Sequence, residues 1–188
     1  MTAVYGGGMG GSGPAGPGEE RRVALFDEAN GAQQLMRQMA GTRGGAWLNS
    51  RLLHRLDLPV MRHTGGRRSV TAALTGLPMV ELTTTGARTG RPRTMPIIGT
   101  PDADRLVLVA SNYGSAHNPG WYFNLKAHPK CTVVFQGRRY EMEAYEAEGE
   151  ERQRLWALDC SVIPARRLYA ARAGGRRIPV MVLHPVQP

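Results

Sequence analysis

Alternating hydrophobic and polar residues characterise the second half of the chain. Met79–Thr85 is rich in β-branched residues and alternates, which predicts a strand. The same criteria predict five further strands, at Thr94–Thr100, Arg105–Ser111, Lys130–Gln136, Arg138–Glu146 and Ile178–Leu183. Because proline cannot donate to a strand ladder, Pro92, Pro96 and Pro101 favour an edge position for the second strand. Gly137 is predicted to form the turn of a hairpin.

Hydrophobic residues at three-to-four spacing predict helices around these strands. A loosely helical pattern runs from Glu19 to about Leu58, and residues 59–78 are predicted to be a connector. Asn118–His128 is predicted to be a short helix, opened by a capping asparagine and an early proline. Two more helices are predicted, at Glu150–Leu158 and Ala165–Ala173.

This order of elements predicts a mainly β protein with flanking helices, of the α+β class. It is too irregular for βαβ repeats and favours a small antiparallel barrel. Residues 1–20 are a glycine-rich tail that we expect to be disordered, because it has too little apolar surface to bury. Residues 21–78 are predicted to be an N-terminal helical segment, and residues 79–188 the barrel domain.

The composition is strongly basic, with a net charge of +9 and 24 Lys and Arg residues, all but Lys126 and Lys130 being arginine. This charge fits an anionic ligand or, equally, a well-solvated basic surface. We expect no nucleic-acid partner, because aromatic residues make up 6% and no recognition motif is visible. Scattered histidines and two distant cysteines predict no metal site and no disulfide framework. We expect a cytoplasmic location, since the chain has neither a membrane-length apolar run nor a signal-peptide pattern.

The segment Gly86–Arg93 places three arginines in a glycine-containing turn between the first two strands. Glycines let a backbone approach a ligand closely, and successive N–H groups in a turn can bind an anion. The guanidinium groups of Arg88 and Arg93 suit phosphate. By itself, this turn fits a solvated hairpin loop equally well. It matches neither a Walker A loop nor a dinucleotide fingerprint.

A second segment, Ser111–Leu125, follows an apolar strand and enters the short predicted helix. Its small and polar residues, followed by clustered aromatics, suit a flat and partly polar ring lying against a helix start. The alternative is that Trp121 and Tyr122 simply pack against the barrel.

Together, LTTTGARTGRPRTMPI and LVLVASNYGSAHNPGWYFNLKAHPKCTV resemble the deazaflavin (coenzyme F420)-dependent nitroreductase family, over about Met79 to Leu183. The resemblance implies a split β-barrel, an FMN-binding-like roll. It also implies that coenzyme F420 binds with its phosphate and polyglutamate tail in a basic groove. The implied activity is a reductase that transfers hydride from reduced F420 to a quinone, a nitro compound or an activated C=C acceptor.

The resemblance places the phosphate and tail of the cofactor at Ala87, Arg88 and Thr89, with Arg93 as the phosphate clamp. Ala87 stands where relatives often have a basic residue, so this end of the site is less charged than usual. The other cofactor-binding residues that it implies are Thr94, Met95, Pro96, Ile97, Ile98, Val109, Ala110, Ser111, Asn112, Gly120, Trp121, Tyr122, Phe123 and Asn124.

Two residues are candidates for the chemistry itself. Ser111 would donate a hydrogen bond to charge developing on the acceptor, and Tyr169 would cap the pocket. Tyr169 also fits an ordinary core or surface tyrosine. Relatives have tyrosines in this late segment, whereas Ile163 and Arg166 occupy neighbouring places here, which favours a different acceptor.

Two other functions remain open from the sequence, an FMN-binding split-barrel oxidoreductase and a non-enzymatic F420-binding protein. A basic N-terminal segment also fits peripheral contact with the inner face of an anionic membrane, although a helix packed on the barrel explains the same pattern. The arginines concerned are Arg51, Arg55, Arg62, Arg67 and Arg68. The sequence does not specify the oligomeric state.

Overall fold

The structure is a computed structural model, which describes residues 54–65 and 68–186. The predictions for the glycine-rich tail and for most of the N-terminal helical segment lie outside the described residues.

Seven strands and five α-helices make up the described part of the chain. The strands are β1 (Met79–Thr85), β2 (Pro92–Ile98), β3 (Thr100–Asp102), β4 (Arg105–Val109), β5 (Lys130–Phe135), β6 (Arg138–Glu146) and β7 (Val180–Pro185). The helices are α1 (His54–His63), α2 (Val70–Thr75), α3 (Gly120–Ala127), α4 (Gly149–Val162) and α5 (Ala165–Arg172). A short 3₁₀ turn, Asn112–Gly114, follows β4.

All seven strands form one sheet, in the order β2-β1-β5-β6-β7-β4-β3. Every neighbouring pair is antiparallel, and the β1–β2 register runs from Met79 opposite Ile98 to Thr85 opposite Pro92. The two prolines of β2 and Pro101 of β3 therefore lie on the two edge strands, as predicted. The β5–β6 hairpin is also confirmed. A mainly antiparallel sheet with flanking helices confirms the α+β class.

Hydrophobic side chains pack on both faces of the sheet. On one face, Val80, Leu82 and Leu108 are buried with Trp121 of α3. On the other face, Val107 and its neighbours pack against α4 and the segment before β7. Each fully buried Leu or Val side chain stabilises the fold by roughly 1.5–3 kcal/mol relative to an exposed one. The alternation within β4 thus divides the core into two layers, and α3 belongs to the layer nearest β1 and β2.

The prediction of a connector at residues 59–78 is wrong. The helix α1 continues through Pro59 to His63, and α2 follows. The side chain of Ser69 accepts a hydrogen bond from the N–H of Ala72, and Gly76 ends α2 with a left-handed φ of 65°. Both are ordinary helix-end signals. The helix α1 contains the internal Pro59, and its Asp57 and Met61 side chains are buried.

Three other predicted boundaries change. The strand predicted at Thr94–Thr100 is two strands, with Gly99 between them because a Cβ there would meet the Leu106 side chain at 2.8 Å. The strand predicted at Arg105–Ser111 ends at Val109. The predicted cap at Asn118 is wrong, since Pro119 precedes the first turn of α3 and the Asn118 side chain accepts a hydrogen bond from Arg176 instead.

Candidate functional site

Two adjacent cavities lie beside β2 and α3. The outer groove has a volume of about 690 Å³ and is lined by the turn after β1, by the start of β2 and by the start of α3. The inner cavity has a volume of about 310 Å³ and is lined by β2, the loop after β4, and residues of α1, α2 and α5. Met95, Pro119 and Trp121 line both. The two spaces therefore meet at these three residues.

The turn between β1 and β2 is held closed by its own backbone. The Gly86 N–H donates to the Arg91 carbonyl at 2.9 Å, and the Gly90 N–H donates to the Gly86 carbonyl at 2.8 Å. A Cβ at Gly86 would lie 2.8 Å from Thr89 Oγ1, and Gly90 has a φ of +63°. Both glycines are therefore needed for this tight geometry. The exposed arginines Arg88 and Arg93 line the outer groove.

Asn124 connects this turn to α3. Its Oδ1 accepts a hydrogen bond from the Ala87 N–H at 3.0 Å, and its Nδ2 donates to Thr84 Oγ1 at 3.0 Å. The amide side chain thus fixes the distance between the two sides of the outer groove. Because the backbone N–H of Ala87 already donates to Asn124, it is not available to an anion. An anion in the groove would therefore bind the arginine side chains.

The inner cavity is mainly apolar. Residues Met95 to Ile98 of β2 form one side, and Val109 and Trp121 contribute further apolar surface. Trp121 is 5% exposed and belongs to the core, so it is a rigid part of the wall. A narrow space between apolar walls suits a flat conjugated ring.

The loop after β4 has an unusual backbone at the inner cavity. Asn112, Tyr113 and Gly114 have φ values of 46°, 55° and 83°, a conformation that costs non-glycine residues free energy. A Cβ at Gly114 would lie 2.9 Å from the Tyr169 carbonyl oxygen, so the loop is pressed against α5. The rings of Tyr113 and Tyr169 also meet edge to face, with centroids 6.0 Å apart.

Arg176 holds this loop in place. Its guanidinium donates to the carbonyl oxygens of Ala110 at 3.3 Å, Ser111 at 3.1 Å and Ser115 at 3.0 Å, and to the Asn118 side chain. The sequence predicts only a basic turn near the rim for the Arg172–Arg177 cluster. A single arginine instead satisfies four acceptors of the loop, which offsets the cost of its backbone conformation.

A buried hydrogen-bonded chain runs behind the inner cavity. Asp159, 0% exposed, accepts from Thr100 Oγ1 at 2.7 Å and from Arg166 Nε at 2.7 Å. Arg166 Nη1 in turn donates to Ser111 Oγ at 2.8 Å. Ser111 and Arg166 both line the cavity. The Ser111 oxygen is therefore an acceptor for Arg166, and its hydroxyl hydrogen remains for a ligand.

A second buried carboxylate, Asp57, lines the inner cavity from α1. It accepts hydrogen bonds from Ser69 Oγ at 2.9 Å, from the Thr71 N–H at 3.0 Å and from the Thr71 hydroxyl. These three donors offset the loss of hydration. No pattern in the sequence distinguishes Asp57, because its partners come from the region predicted as a connector.

Tyr169 lines the inner cavity and is 4% exposed. Burial raises the pKa of its hydroxyl, and Arg166 and Arg172 oppose this rise only in part. The phenol is therefore protonated at neutral pH and can donate a hydrogen bond.

Most of the predicted site residues line one of the two cavities. The outer groove is lined by Ala87, Arg88, Thr89, Arg93, Thr94, Met95, Gly120, Trp121, Phe123 and Asn124. The inner cavity is lined by Met95, Pro96, Ile97, Ile98, Val109, Ser111, Asn112, Trp121 and Tyr169. Ala110 and Tyr122 line neither: Ala110 is fully buried, and the Tyr122 hydroxyl donates to Glu146 at 3.0 Å.

Within residues 54–65 and 68–186, no group of three or more metal-ligating side chains occurs. No helix in this part of the chain is long and apolar enough to span a bilayer.

An arginine-lined groove beside an apolar slot suits a flat ring that carries an anionic tail. Residues 52–185 match the F420H(2)-dependent quinone reductase family, and the chain belongs to that family. This finding confirms the expected enzyme class, an oxidoreductase, and the expected cofactor, coenzyme F420.

Two curated relatives are F420H(2)-dependent quinone reductases of Mycobacterium tuberculosis, from strains H37Rv and CDC 1551. Each is 34% identical over 134 residues, which cover 70% of this chain and 89% of the relative.

Solved structures agree with this assignment. An F420-H2 dependent reductase, FDR-A, is 35% identical with a TM-score of 0.53, covering 57% of this chain and 94% of that chain. A second structure, described as a domain-swapped dimer, is 28% identical with a TM-score of 0.55, covering 75% of this chain and 99% of that chain. The likeness to FDR-A confirms the split-barrel fold.

The residues present fit coenzyme F420. The exposed guanidinium groups of Arg88 and Arg93 at the outer groove match a phosphate and an acidic tail. The apolar slot from Met95 to Ile98 matches a flat ring. The groove and the slot adjoin at Met95, Pro119 and Trp121, which line both.

Proposed function

We propose that this protein transfers hydride from reduced F420 to a quinone-type acceptor that enters the inner cavity. The observation that carries the proposal is that the basic outer groove adjoins the apolar inner cavity, with Met95, Pro119 and Trp121 lining both. Nitro compounds and activated C=C acceptors are further candidates, because they also receive charge on an oxygen next to a conjugated system.

The outer groove would hold the phosphate and acidic tail. Arg93 and Arg88 would provide charge-assisted hydrogen bonds, which are stronger than neutral ones. Thr89 and Thr94 add hydroxyl groups along the same groove. Asn124 would keep the groove at a fixed width through its bonds to Ala87 and Thr84.

The slot along Met95 to Ile98 would hold the ring, with Val109 and Trp121 on its other sides. When bound, reduced F420 supplies the hydride. The chain's own task is therefore to hold the acceptor against the ring and to exclude water. The buried apolar walls serve the second purpose, since none of Val109, Trp121 and Ile163 exposes more than 6% of its surface.

Ser111 and Tyr169 would complete the acceptor end of the inner cavity. The hydroxyl hydrogen of Ser111 is available because its oxygen accepts from Arg166, and Tyr169 is a protonated phenol in the same wall. The Ser111 hydroxyl can therefore donate to an acceptor oxygen, and the Tyr169 ring would form part of the wall beside it.

Titration of the full chain with F420 and with FMN, followed by fluorescence quenching, tests the cofactor assignment. We expect saturable binding of F420 at micromolar concentration and much weaker binding of FMN. Turnover of menadione with reduced F420 then tests the reaction. Binding without turnover of menadione or of a nitroaromatic acceptor would reject the enzymatic proposal.

A cytoplasmic location and peripheral membrane contact stay predictions. Arg51 and Arg67 lie outside the described residues, whereas Arg62 and Arg68 are exposed. Co-sedimentation of the full chain with anionic and with neutral vesicles tests the membrane contact. If the contact is electrostatic, the chain should bind the anionic vesicles preferentially, and added salt should remove this preference. The oligomeric state is not assigned.

A further inference from the structure

Arg166 is the buried cation at the inner cavity, and the established family assignment gives it no role. It is 7% exposed and lines the cavity. Its Nε binds Asp159 at 2.7 Å, and its Nη1 binds Ser111 at 2.8 Å. Its Nη2 makes no hydrogen bond to another residue of the described ranges. Nη2 is not among the buried side-chain atoms that lack a partner, so it is accessible, and the cavity that Arg166 lines is where a partner would reach it.

The buried ion pair of Arg166 with Asp159 contributes little to the stability of the fold. Burying both charges costs hydration that their attraction only partly offsets, so such pairs are weak evidence for a stabilising role. What the pair does provide is a fixed guanidinium, oriented by Asp159 on the side away from Ser111. Arginine keeps its charge at all accessible pH values, so donors at this point of the wall are permanently positive.

The charge on the acceptor explains why such donors matter. A quinone that receives a hydride, two electrons and one proton, carries a negative charge on one oxygen until a solvent proton completes the quinol. The cofactor is oxidised in the same step. Donors aimed at that oxygen in a water-poor site stabilise it far more than water does.

We propose that Arg166 Nη2 and the Ser111 hydroxyl together bind the acceptor oxygen on which negative charge develops. The site would thereby select acceptors whose conjugated oxygen carries charge readily, such as quinones, and bind ring oxyanions. This inference rests on the proposed function for its physiological meaning, but oxyanion binding by the full chain can be measured without cofactor.

Asp57 gives the acceptor a direction. It is a buried carboxylate that lines the same cavity from α1, so an acceptor oxygen near it would meet repulsion. An acceptor that develops negative charge on one oxygen should therefore bind in the orientation that places this oxygen at Arg166 and Ser111. A ligand with a second anionic group on the Asp57 side would be rejected.

The probe is 4-nitrophenol, an aromatic ring with one oxygen that ionises close to neutral pH and changes its absorbance when it does. We expect the full chain without cofactor to bind the phenolate form at least tenfold more tightly than the phenol, which lowers the apparent pKa of bound probe by about one unit. Equal binding of the two forms would overturn the proposal.

The test variant is Asp159→Asn/Arg166→Gln, which removes both charges without leaving one buried and unpaired. The control is Asp102→Asn/Arg154→Gln, which neutralises a hydrogen-bonded pair outside both cavities and leaves Arg105, the other partner of Asp102, with Glu151. We expect the test variant to lose the preference for phenolate by roughly tenfold or more, the typical value of a charge-assisted hydrogen bond. The control should keep the preference.

Turnover provides the second measurement. We expect kcat for menadione to fall roughly 10- to 100-fold in the test variant, while its Kd for F420 stays within about threefold. A loss of F420 affinity with unchanged phenolate binding would show that Arg166 serves the cofactor, which overturns the proposal. Failure of native protein to bind F420 would instead reject the proposed function, whatever the phenolate result.

Arg166→Lys keeps the inference testable if the double variant does not fold. Lysine can retain the ion pair with Asp159, but its single ammonium cannot also serve Ser111 and a ligand in the fork geometry of arginine. We expect it to lose most of the preference for phenolate. A native-like preference in this folded variant would contradict the role of Nη2.

Discussion

The side-chain oxygen of Asn124 accepts a hydrogen bond from the backbone N–H of Ala87 at 3.0 Å, across 37 positions of the chain. The other end of the same amide donates to Thr84. One planar group thereby connects the first helical turns of α3 to the arginine-containing turn, the two sides of the outer groove. The affinity for an anionic tail should therefore depend on a residue that carries no charge.

Replacing Asn124 tests this connection. Asn124→Ala removes both hydrogen bonds, and we expect it to lower the free energy of unfolding by about 1–2 kcal/mol. Asn124→Asp keeps the acceptor for Ala87 but adds a negative charge beside the groove. We expect it to be the more stable of the two by urea denaturation and yet to bind F420 roughly tenfold more weakly. The opposite order of affinities would contradict the arrangement.

Arg93→Ala addresses the anion site directly. If this guanidinium contacts the phosphate, its removal should weaken F420 binding by about 1.5–3 kcal/mol. Arg138→Ala is the matched control, since Arg138 is also exposed on a hairpin but at the other end of the β1–β5 pair. Fluorescence titration at two salt concentrations measures both. Equal losses in the two variants would mean that net charge alone is responsible.

Gly114→Ala probes the contact between the loop and α5. Gly114 has a φ of 83°, and an added Cβ would lie 2.9 Å from the Tyr169 carbonyl oxygen. Gly174→Ala is a clean control, because Gly174 has a φ of 63° with nothing within 4 Å. We expect the control to cost about 1 kcal/mol for the left-handed backbone. Gly114→Ala should cost clearly more by thermal unfolding, and a similar cost would show that α5 shifts freely.

Arg176→Ala removes the clamp on the same loop. Four acceptors lose their guanidinium partner, so we expect faster hydrogen exchange in the loop and a destabilisation of about 1–3 kcal/mol. The adjacent Arg177 is exposed and provides Arg177→Ala as a control with the same change in charge. Exchange rates in residues 111–115 that match in the two variants would contradict a clamp.

Acid should weaken the fold through Asp102. Hydrogen bonds from Arg154, and then from Arg105, lower the pKa of this carboxyl from 3.8 to about 2. Because the folded pKa lies below the unfolded one, the contribution is complete above pH 4 and is lost as the pH falls towards 2. We expect it to be about 1–2 kcal/mol, reduced by the exposure of Arg154. Asp102→Asn should therefore destabilise at pH 7, and most of the difference should vanish near pH 2. The same change at exposed Asp104 is the control.

Local patterns predicted the sheet well. The alternation in Met79–Thr85 matches β1 at both ends, because a half-buried strand imposes a period of two on its residues. The prolines correctly predict an edge position for the second strand, although that segment forms two separate strands, β2 and β3, at opposite edges of the sheet. By contrast, residues 59–78 are predicted to be a connector, whereas α1 continues through Pro59 and α2 follows.

Long-range pairs explain what the sequence did not predict. Asp159 and Ser111 share Arg166 although they lie far apart in the chain, and Arg176 reaches back to the loop after β4. Such partners depend on how the sheet and α5 come together, which no local pattern encodes. The prediction that Asn118 caps α3 is wrong for the same reason, because its side chain accepts a hydrogen bond from the distant Arg176.

The two cavities meet at Met95, Pro119 and Trp121 but otherwise draw on different stretches of chain. The groove belongs to the β1–β2 turn and the start of α3, whereas the acceptor wall also uses α1, α2 and α5. Mutations in those helices should therefore affect the acceptor more than the phosphate and tail of the cofactor, which the outer groove would hold. Because of this division, proteins with the same fold can differ in the acceptor they reduce while they keep the groove that binds the tail of the cofactor.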